Sequence, residues 1–427
     1  MLPVLTLLAA STLAQQPPWL TGESNPADLS ISVVTFSPGD SLVEWWGHTS
    51  LVVEDRRLNR GLLYNFGMFG PRTPGDDVGF VKDFIKGRLI FWVDSESPLG
   101  TFGFYKKILQ RDVRVQELDL TPDEAQLIAK RLATHVLPEN RYYRYHHYND
   151  NCSTRPRDII DEAIGGQLKA ATAGPSRMTL REHTLRYSRV NPPMSLVLDF
   201  LQADGLDKPI TQQQDAYLPD ELELQLQKLQ VTRADGSVRP LVKRQWNFFE
   251  SGREKPPERA PNWLLQELLV GLFLAGLAHG LGHWGRDGKK VPRVLLGLLT
   301  ALLGLGLGAL GSALAFLMTA TDHDVTFGNE NLFQANPLTL ALLPLGVMLA
   351  WGSKRAVKAN RLVWTALAAL SVLGVVLKVL PGFDQANWNI LAILVPMNVG
   401  FAAMWWLQAW YSQRAVSAGS TPPRAPG

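Results

Sequence analysis

The sequence contains a single cysteine, Cys152, and this scarcity limits how the protein can be stabilised. One thiol cannot form an intramolecular disulfide, so a disulfide-rich secreted scaffold is excluded. A lone thiol in an oxidising compartment is a liability unless it has a use, although free cysteine is commonly just a small buried hydrophobic residue. Charge of one sign is also scarce, because the formal net charge is only +3. This value is too small to predict nucleic-acid binding.

Basic residues are absent from the first fourteen positions, which form a short apolar run ending in Thr12, Leu13 and Ala14. An apolar run followed by small residues is typical of a secretory signal peptide. We therefore predict a signal peptide over residues 1–14 and export of the segment that follows. A buried N-terminal helix is the alternative reading.

Charged residues are scarce in the second part of the chain, from about residue 262 to residue 411. Apolar windows of about twenty residues are long enough to cross the hydrocarbon core of a membrane. We predict five such spans, at residues 262–281, 294–319, 332–351, 362–380 and 388–411. The predicted domains are an exported domain with its juxtamembrane linker over 15–261, a transmembrane domain over 262–411 and a disordered cytoplasmic tail over 412–427.

Lys and Arg are unevenly distributed among the connections between these spans. The connections at 286–293 and 352–361 each hold four Lys or Arg residues, whereas those at 321–331 and 381–387 hold none. The positive-inside rule therefore predicts that the first two are cytoplasmic and that the other two lie on the exported side. The exported connections are rich in Asp, Asn and Gln, so they are either a site at the membrane surface or plain solvated loops.

The exported part has the pattern of an α+β domain. Strands are predicted at 31–36, 48–53 and 62–66, because β-branched and apolar residues there are separated by turn-forming residues. A helix is predicted over 122–136, where Thr121 is a suitable N-cap, Pro122 suits the first helical position and Glu124 completes a capping box.

Cys152 follows an Asn/Asp-rich turn and precedes a second predicted helix, which Ser153 or Thr154 can cap. A cysteine at a helix N-terminus is exposed to unpaired N–H groups and to the positive end of the helix dipole, which lower the pKa of a thiol. The same N–H groups suit an oxyanion formed by attack on an ester carbonyl. We therefore predict that Cys152 is a nucleophile.

A cysteine nucleophile needs a base within hydrogen-bond reach. His48 follows a glycine and opens a predicted strand, a position that presents an imidazole well. His146 and His147 are competing candidates close to Cys152 in sequence, and packing within the strand is the alternative role for His48. Asn65 and Glu54 are the candidates for the third group, which would orient the histidine.

Several segments resemble the Lnb family of bacterial membrane proteins, which are regarded as lipoprotein N-acyltransferases. Their exported domain is similar to the permuted papain-like group that includes lecithin-retinol acyltransferase, in which the histidine precedes the cysteine and the cysteine begins a helix. The matching segments are Gly47–Ser50, Tyr64–Gly67, Asn151–Asp158 and Tyr217–Asp220, with Asn329–Leu332, Asn336–Pro337 and Gln385–Asn387 beyond the exported domain.

The resemblance implies an α+β permuted papain-like domain followed by an all-α domain of five transmembrane helices in the bacterial inner membrane. It implies transfer of an acyl chain from a phospholipid, through a thioester on Cys152, to the α-amine of a diacylated lipoprotein, without a metal or cofactor. The partners are therefore membrane lipid, the phospholipid donor and the lipoprotein acceptor. The matched segments and outer connections supply candidate substrate-binding residues: Asn151, Ser153, Thr154, Tyr64, His323, Asn331, Gln385 and Asn387.

Other functions fit parts of this pattern. A phospholipase uses the same first step with water as the acceptor, and a cell-wall amidase or peptidase uses the same nucleophile but leaves the five spans without a purpose. A receptor or scaffold with an inert Cys152 is the alternative from a different class.

Overall fold

The computed structural model describes residues 16–71, 75–286 and 288–419. The predicted signal peptide at 1–14 lies outside the described residues. The strands are β1 Leu29–Phe36, β2 His48–Asp55, β3 Arg60–Met68, β4 Ile90–Glu96, β5 Val113–Leu118, β6 Tyr142–Arg144, β7 Gln230–Thr232, β8 Val238–Pro240 and β9 Val242–Phe249.

The helices of the described chain are α1 Pro18–Thr21, α2 Asp77–Lys86, α3 Pro98–Phe104, α4 Pro122–His135, α5 Thr154–Ala163, α6 Gln167–Ala171, α7 Leu180–Ser188, α8 Pro192–Leu201, α9 Gln212–Asp215, α10 Pro219–Lys228, α11 Leu264–Trp284, α12 Lys290–Ala320, α13 Leu342–Ala350, α14 Lys354–Leu377 and α15 Trp388–Gly419. Contacts divide the chain into two compact units. Unit 1 comprises residues up to 83, 88–177 and 210–255, and unit 2 comprises 84–87, 178–209 and 256 onward.

Unit 1 is built on a seven-stranded antiparallel sheet with the order β6-β4-β3-β2-β1-β5-β9. Alternate residues of a strand face opposite sides. Ile31 and Val33 pack in an apolar core with α4 and α5, whereas Val34 and Phe36 pack in a second core with Phe102. Both faces of β1 are therefore covered, which is why all eight of its residues are buried.

The predicted strands and the first predicted helix of unit 1 are confirmed. Helix α4 begins with the predicted capping box, in which the Thr121 hydroxyl accepts from the N–H of Glu124 and the Glu124 carboxylate accepts from the N–H of Thr121. The histidine therefore begins a central strand and the cysteine lies at the start of a helix on one face of the same sheet, in the predicted chain order.

Unit 2 contains the five predicted apolar helical segments, each long and apolar enough to cross a membrane. The third segment, Glu330–Ala350, is not one regular helix: two 3-10 turns, Glu330–Phe333 and Pro337–Ala341, precede the nine-residue helix α13. At 1.5 Å per residue α13 alone is shorter than the hydrocarbon core, so the 3-10 turns must supply the remaining length.

The C-terminal tail differs from the prediction. Helix α15 continues to Gly419, so residues 412–419 are helical, because residues 401–418 contain no Gly or Pro that would end the helix. The rest of the predicted disordered tail, 420–427, lies outside the described residues.

Unit 2 also contains residues 178–209, which precede the membrane segments in the chain. Phe200 of α8 is buried in the apolar core of this unit, and the N–H of Ala203 donates to the carbonyl of Val325. Arg181 is 3% exposed and bonds the carboxylates of Asp199 and Asp207 at 2.6 and 2.5 Å. This buried charge cluster fixes α7 and α8 in the unit.

Candidate active site around Cys152

The N-terminus of α5 is capped by the side chain of Asn151. Its Oδ1 accepts hydrogen bonds from the N–H groups of Ser153 at 2.8 Å and Thr154 at 2.9 Å. The predicted cap was Ser153 or Thr154, and this was wrong: the Thr154 hydroxyl accepts from the N–H of Asn151, and Ser153 makes no cap bond. Because Asn151 satisfies the helix N–H groups, Cys152 is held in the turn between cap and helix.

The same turn is tied to the segment that precedes α10. Asn151 Nδ2 donates to the carbonyls of His147 at 2.7 Å and Tyr217 at 3.0 Å, and Ser153 Oγ donates to the carbonyl of Ala216 at 2.8 Å. Asn151 and Ser153 are buried. Their hydrogen-bonding capacity is used inside the protein, so these residues, together with Thr154, hold the cysteine turn in place.

The sulfur of Cys152 lies within hydrogen-bond distance of the backbone at the beginning of β2. The backbone N–H groups of Thr49 and of Cys152 itself form hydrogen bonds to the sulfur and favour the thiolate. Burial outweighs them and raises the pKa of the Cys152 thiol to about 11. The predicted lowering of this pKa was therefore wrong, because the desolvation of a thiol that packs against the core depends on tertiary contacts.

His48 is the residue before Thr49, and its ring is oriented by Asn65. Asn65 Oδ1 lies 2.9 Å from His48 Nε2 and also accepts from the N–H of Gly67 at 2.9 Å. Since that oxygen can only accept, Nε2 carries the proton and Nδ1 has a free lone pair. Burial, with a smaller contribution from the charge of Arg111, lowers the pKa of His48 to about 4, so the ring is neutral at physiological pH.

Two glycines make room for this arrangement. Gly47 has φ +76°, a left-handed conformation in which a side chain is strained, and it sets the direction in which His48 enters β2. Gly67 lies at a register shift between β3 and β4, and a Cβ there would come within 2.6 Å of Cε1 of His48. Gly47 therefore directs the histidine into the strand, and Gly67 leaves space for its ring.

The structure separates the remaining candidates of unit 1. Asn65 lies on β3 next to His48, in the orienting position. Glu54 is exposed six residues along β2 from His48, which is about 20 Å at strand spacing, and so takes no part in the site. Tyr64 points to the opposite face of β3 from Asn65, is fully buried, and accepts a hydrogen bond from Trp19 Nε1 at 3.0 Å, so it belongs to the core.

The competing histidines are bound into the loop that precedes Cys152. His146 Nδ1 accepts from the N–H groups of Tyr148 and Asn149, which makes it part of the turn. His147 Nδ1 lies 3.1 Å from the hydroxyl of Tyr145, and its ring packs edge-on against Trp46. These contacts favour His48 as the base.

Three of the candidate residues from the membrane segments form a buried network within unit 2. Asn331 Nδ2 donates to the carbonyl of Phe200 at 2.9 Å, and Asn387 Nδ2 donates to Asn331 Oδ1 at 2.7 Å. Gln385 Nε2 donates to the carbonyl of Gln202 at 2.8 Å. These amides bind the 178–209 segment, a role that could not be predicted from sequence because that segment was assigned to the exported domain.

The fourth, His323, also has a partner in unit 2. One of its ring nitrogens lies 3.2 Å from the carbonyl of Phe84, and its backbone lies against Gly87. Its observed contacts are therefore with the short segment 84–87, which groups with the membrane helices.

Two side chains that were not predicted from the sequence lie near the thiol. Arg111 and Tyr105 both interact electrostatically with Cys152, and the Arg111 guanidinium stacks on the Tyr105 ring, 5.0 Å from its centroid. Neither lies in a matched segment, and no local pattern marks them. Among the described residues, no group of three or more His, Cys, Asp and Glu side chains is arranged to hold a metal ion.

An α+β unit that brings a partly buried thiol and an amide-oriented histidine together, joined to five apolar segments, defines a membrane protein with a cysteine–histidine site. The family model of the Lnb N-terminal periplasmic domain matches residues 15–186, and that of the Lnb transmembrane domain matches residues 262–381. The chain belongs to the Lnb family. It is therefore a membrane protein with a periplasmic domain, and its family indicates a role in lipoprotein processing. Searches of curated proteins and of solved structures found no match.

Proposed function

We propose that the protein is a lipoprotein N-acyltransferase of the bacterial inner membrane that uses Cys152 as its nucleophile. One observation carries this proposal: the Cys152 sulfur accepts a hydrogen bond from the N–H of Thr49, the residue that follows His48 in the chain. The Nε2 of His48 is in turn bound by Asn65. A thiol, a base and a group that orients the base are the parts that nucleophilic acyl transfer requires.

In the first step His48 Nδ1 takes the thiol proton as the sulfur attacks an ester carbonyl of a phospholipid. The raised thiol pKa and the lowered histidine pKa favour a neutral pair before attack, so proton transfer accompanies attack. As the sulfur becomes bonded to the carbonyl carbon, the backbone N–H groups of Thr49 and Cys152 that had donated to it donate instead to the tetrahedral oxyanion. The ester C–O bond then breaks, His48 returns the proton to the leaving oxygen, and lysophospholipid and an acyl-thioester on Cys152 result.

In the second step the α-amine of a diacylglyceryl-cysteine attacks the thioester. His48 accepts the amine proton and returns it to the departing sulfur, which gives an amide and regenerates the thiol. Both substrates are lipids, which accounts for a membrane unit of five apolar helices, far larger than an anchor. The absence of Lys and Arg from the connections 321–331 and 381–387 supports placing these and the catalytic unit on the periplasmic side.

The test is mass spectrometry of the N-terminal peptide of a reporter lipoprotein in cells lacking their own N-acyltransferase. Wild-type protein should add one amide-linked acyl chain, and Cys152→Ser and His48→Ala should not. Glu54→Gln is the matched control, because Glu54 is exposed at the far end of the strand that His48 begins, and it should behave as the wild type.

The outcomes separate the alternatives. Lysophospholipid formed without an acylated reporter would identify a phospholipase, in which water accepts the acyl group. A reporter acylated equally by Cys152→Ser would exclude the thioester, and a protein that changes neither lipid nor lipoprotein would favour an amidase or a scaffold.

A further inference from the structure

Arg111 is a buried cation whose hydrogen bonds are incomplete. Its side chain is 3% exposed, its Nε donates to the carbonyl of Ser37 at 2.5 Å, and its Nη1 lies 3.5 Å from a carboxylate oxygen of Glu44. Its Nη2 is buried and has no hydrogen-bond partner among the described residues. A buried charged donor without a partner is costly, so a ligand that accepts from Nη2 would relieve the cost.

The guanidinium is held beside the catalytic histidine. Phe36 is the direct cross-strand partner of His48, and the next residue, Ser37, is the one that Arg111 Nε bonds. The guanidinium also stacks on the ring of Tyr105, whose centroid lies 3.7 Å from that of Phe36, and Phe36 stacks on His48 at 5.9 Å. Two independent sets of contacts therefore place the cation at the end of the sheet where His48 begins.

The local backbone explains this position. Tyr105 begins a π-helical turn, Tyr105–Leu109, and Gln110 follows with φ +50°, a conformation that is rare for residues other than glycine. The turn places Tyr105 and Arg111 close together although five residues lie between them. π-helical turns are frequently found at functional sites.

We propose that Arg111 binds the phosphate group of the phospholipid donor while its ester lies at Cys152. This inference rests on the proposed function and adds a selectivity element to it. A guanidinium forms strong, charge-assisted hydrogen bonds to phosphate oxygens. Within the part of the chain that the structure describes, the one carboxylate in contact with Arg111 is that of Glu44, at 3.5 Å. The other oxygen of Glu44 is engaged by the N–H and hydroxyl of Ser41, so the cation keeps charge available for an anion.

The experiment compares two donors with identical acyl esters, phosphatidylglycerol and diacylglycerol, presented to the full-length protein in detergent micelles. Acylation of Cys152 is measured on the intact protein, whose lone cysteine makes the thioester easy to assign. Wild type should acylate from the phospholipid at least about tenfold faster than from diacylglycerol. In Arg111→Gln the ratio of the two rates should fall to about 1, whereas Arg60→Gln, which changes an exposed arginine at the far end of β3, should keep the wild-type ratio.

A second variant decides the matter if Arg111→Gln does not fold. Glu44→Gln keeps an acceptor for Ser41 but removes the negative charge near Nη1, and should lower the half-saturating concentration of phosphatidylglycerol by a few-fold without a matching change for diacylglycerol. Three results would overturn the assignment: an unchanged ratio of the two acylation rates in Arg111→Gln, equal effects of Glu44→Gln on both donors, or a wild type that shows no preference between the donors. Wild type that acylates Cys152 from neither donor would instead refute the proposed function.

Discussion

The Nε2 of His48 and the Oδ1 of Asn65 lie 2.9 Å apart, and because that oxygen also accepts from the N–H of Gly67 the bond has one direction. The histidine proton is therefore on Nε2, and Nδ1 is the basic nitrogen. In the proposed mechanism a side-chain amide takes the orienting role that a carboxylate takes in Ser-His-Asp triads, without adding a charge.

Asn65→Ala should reduce acyl transfer by about 10- to 100-fold, because the imidazole loses both its preferred tautomer and its orientation. Initial rates with the reporter lipoprotein check this, with Glu54→Gln expected to remain within about twofold of the wild type. Wild-type rates in Asn65→Ala would show that His48 is oriented by something else.

Gly67→Ala should also reduce the rate, because a Cβ at that position would lie 2.6 Å from Cε1 of His48 and push the ring out of place. Gly61→Ala on the same strand is the matched control. Its Cβ would come closest to the flexible side chain of Glu54, at 3.1 Å, and would lie at ordinary contact distance from Val53 and Pro98, so activity should persist. Equal activity in both variants would mean that the ring does not need this position.

Asn151→Ala should lower the free energy of unfolding by about 2 kcal/mol or more, because it removes a helix cap and leaves two carbonyls without their donor. Denaturant unfolding in detergent micelles measures the change. Asn149→Ala, at an exposed position of the same loop, should alter stability by no more than about 0.5 kcal/mol. A loss confined to that range in Asn151→Ala would contradict the capping role.

Alkylation of Cys152 should become faster with rising pH up to about pH 10. Because burial raises the pKa of the thiol to about 11, the reactive thiolate is a minor species at neutral pH, and its fraction grows about tenfold per pH unit below that value. The rate of iodoacetamide labelling, followed on the intact protein, reports this residue alone. A plateau reached below pH 8 would instead indicate a preformed thiolate.

Arg181→Met should destabilise unit 2 by about 3–5 kcal/mol, because it leaves the carboxylate of Asp199, only 1% exposed, without its cation. The double variant Arg181→Met/Asp199→Leu also removes the most buried carboxylate and leaves only Asp207, which is 10% exposed, so it should recover part of the loss. Thermal unfolding in detergent provides the comparison. If the double variant were as unstable as the single one, the ion pair itself would be the source of stability.

Much of the architecture follows from local sequence signals. The capping box at Thr121 is a local hydrogen-bond pattern, and the apolar windows report the length of each membrane segment directly. The proximity of Asn65 to His48 was also accessible, since adjacent antiparallel strands bring such residues together. These features depend on residues that are neighbours in the chain or in consecutive strands.

The features that were missed depend on distant packing. The thiol pKa is set by burial against the sheet, and Arg111 reaches the site only through a π-helical turn. Segment 178–209 contains a short apolar helix, and the side-chain amides of Asn331 and Gln385 donate to backbone carbonyls at its end. The periodicity of the helix shows that one face is apolar but does not show which residues it packs against.

The same segment determines how unit 1 can be produced without the membrane helices. A fragment cut before the first span would retain 178–209 and expose Phe200, which is 2% accessible in the whole protein. The residues that flank segment 178–209 are adjacent in unit 1, because the N–H of Ser176 donates to the carbonyl of Ile210 at 2.8 Å. We therefore expect a water-soluble thiol domain from a variant that lacks 178–209 and ends near residue 255. In this variant a short glycine linker joins Arg177 to Ile210.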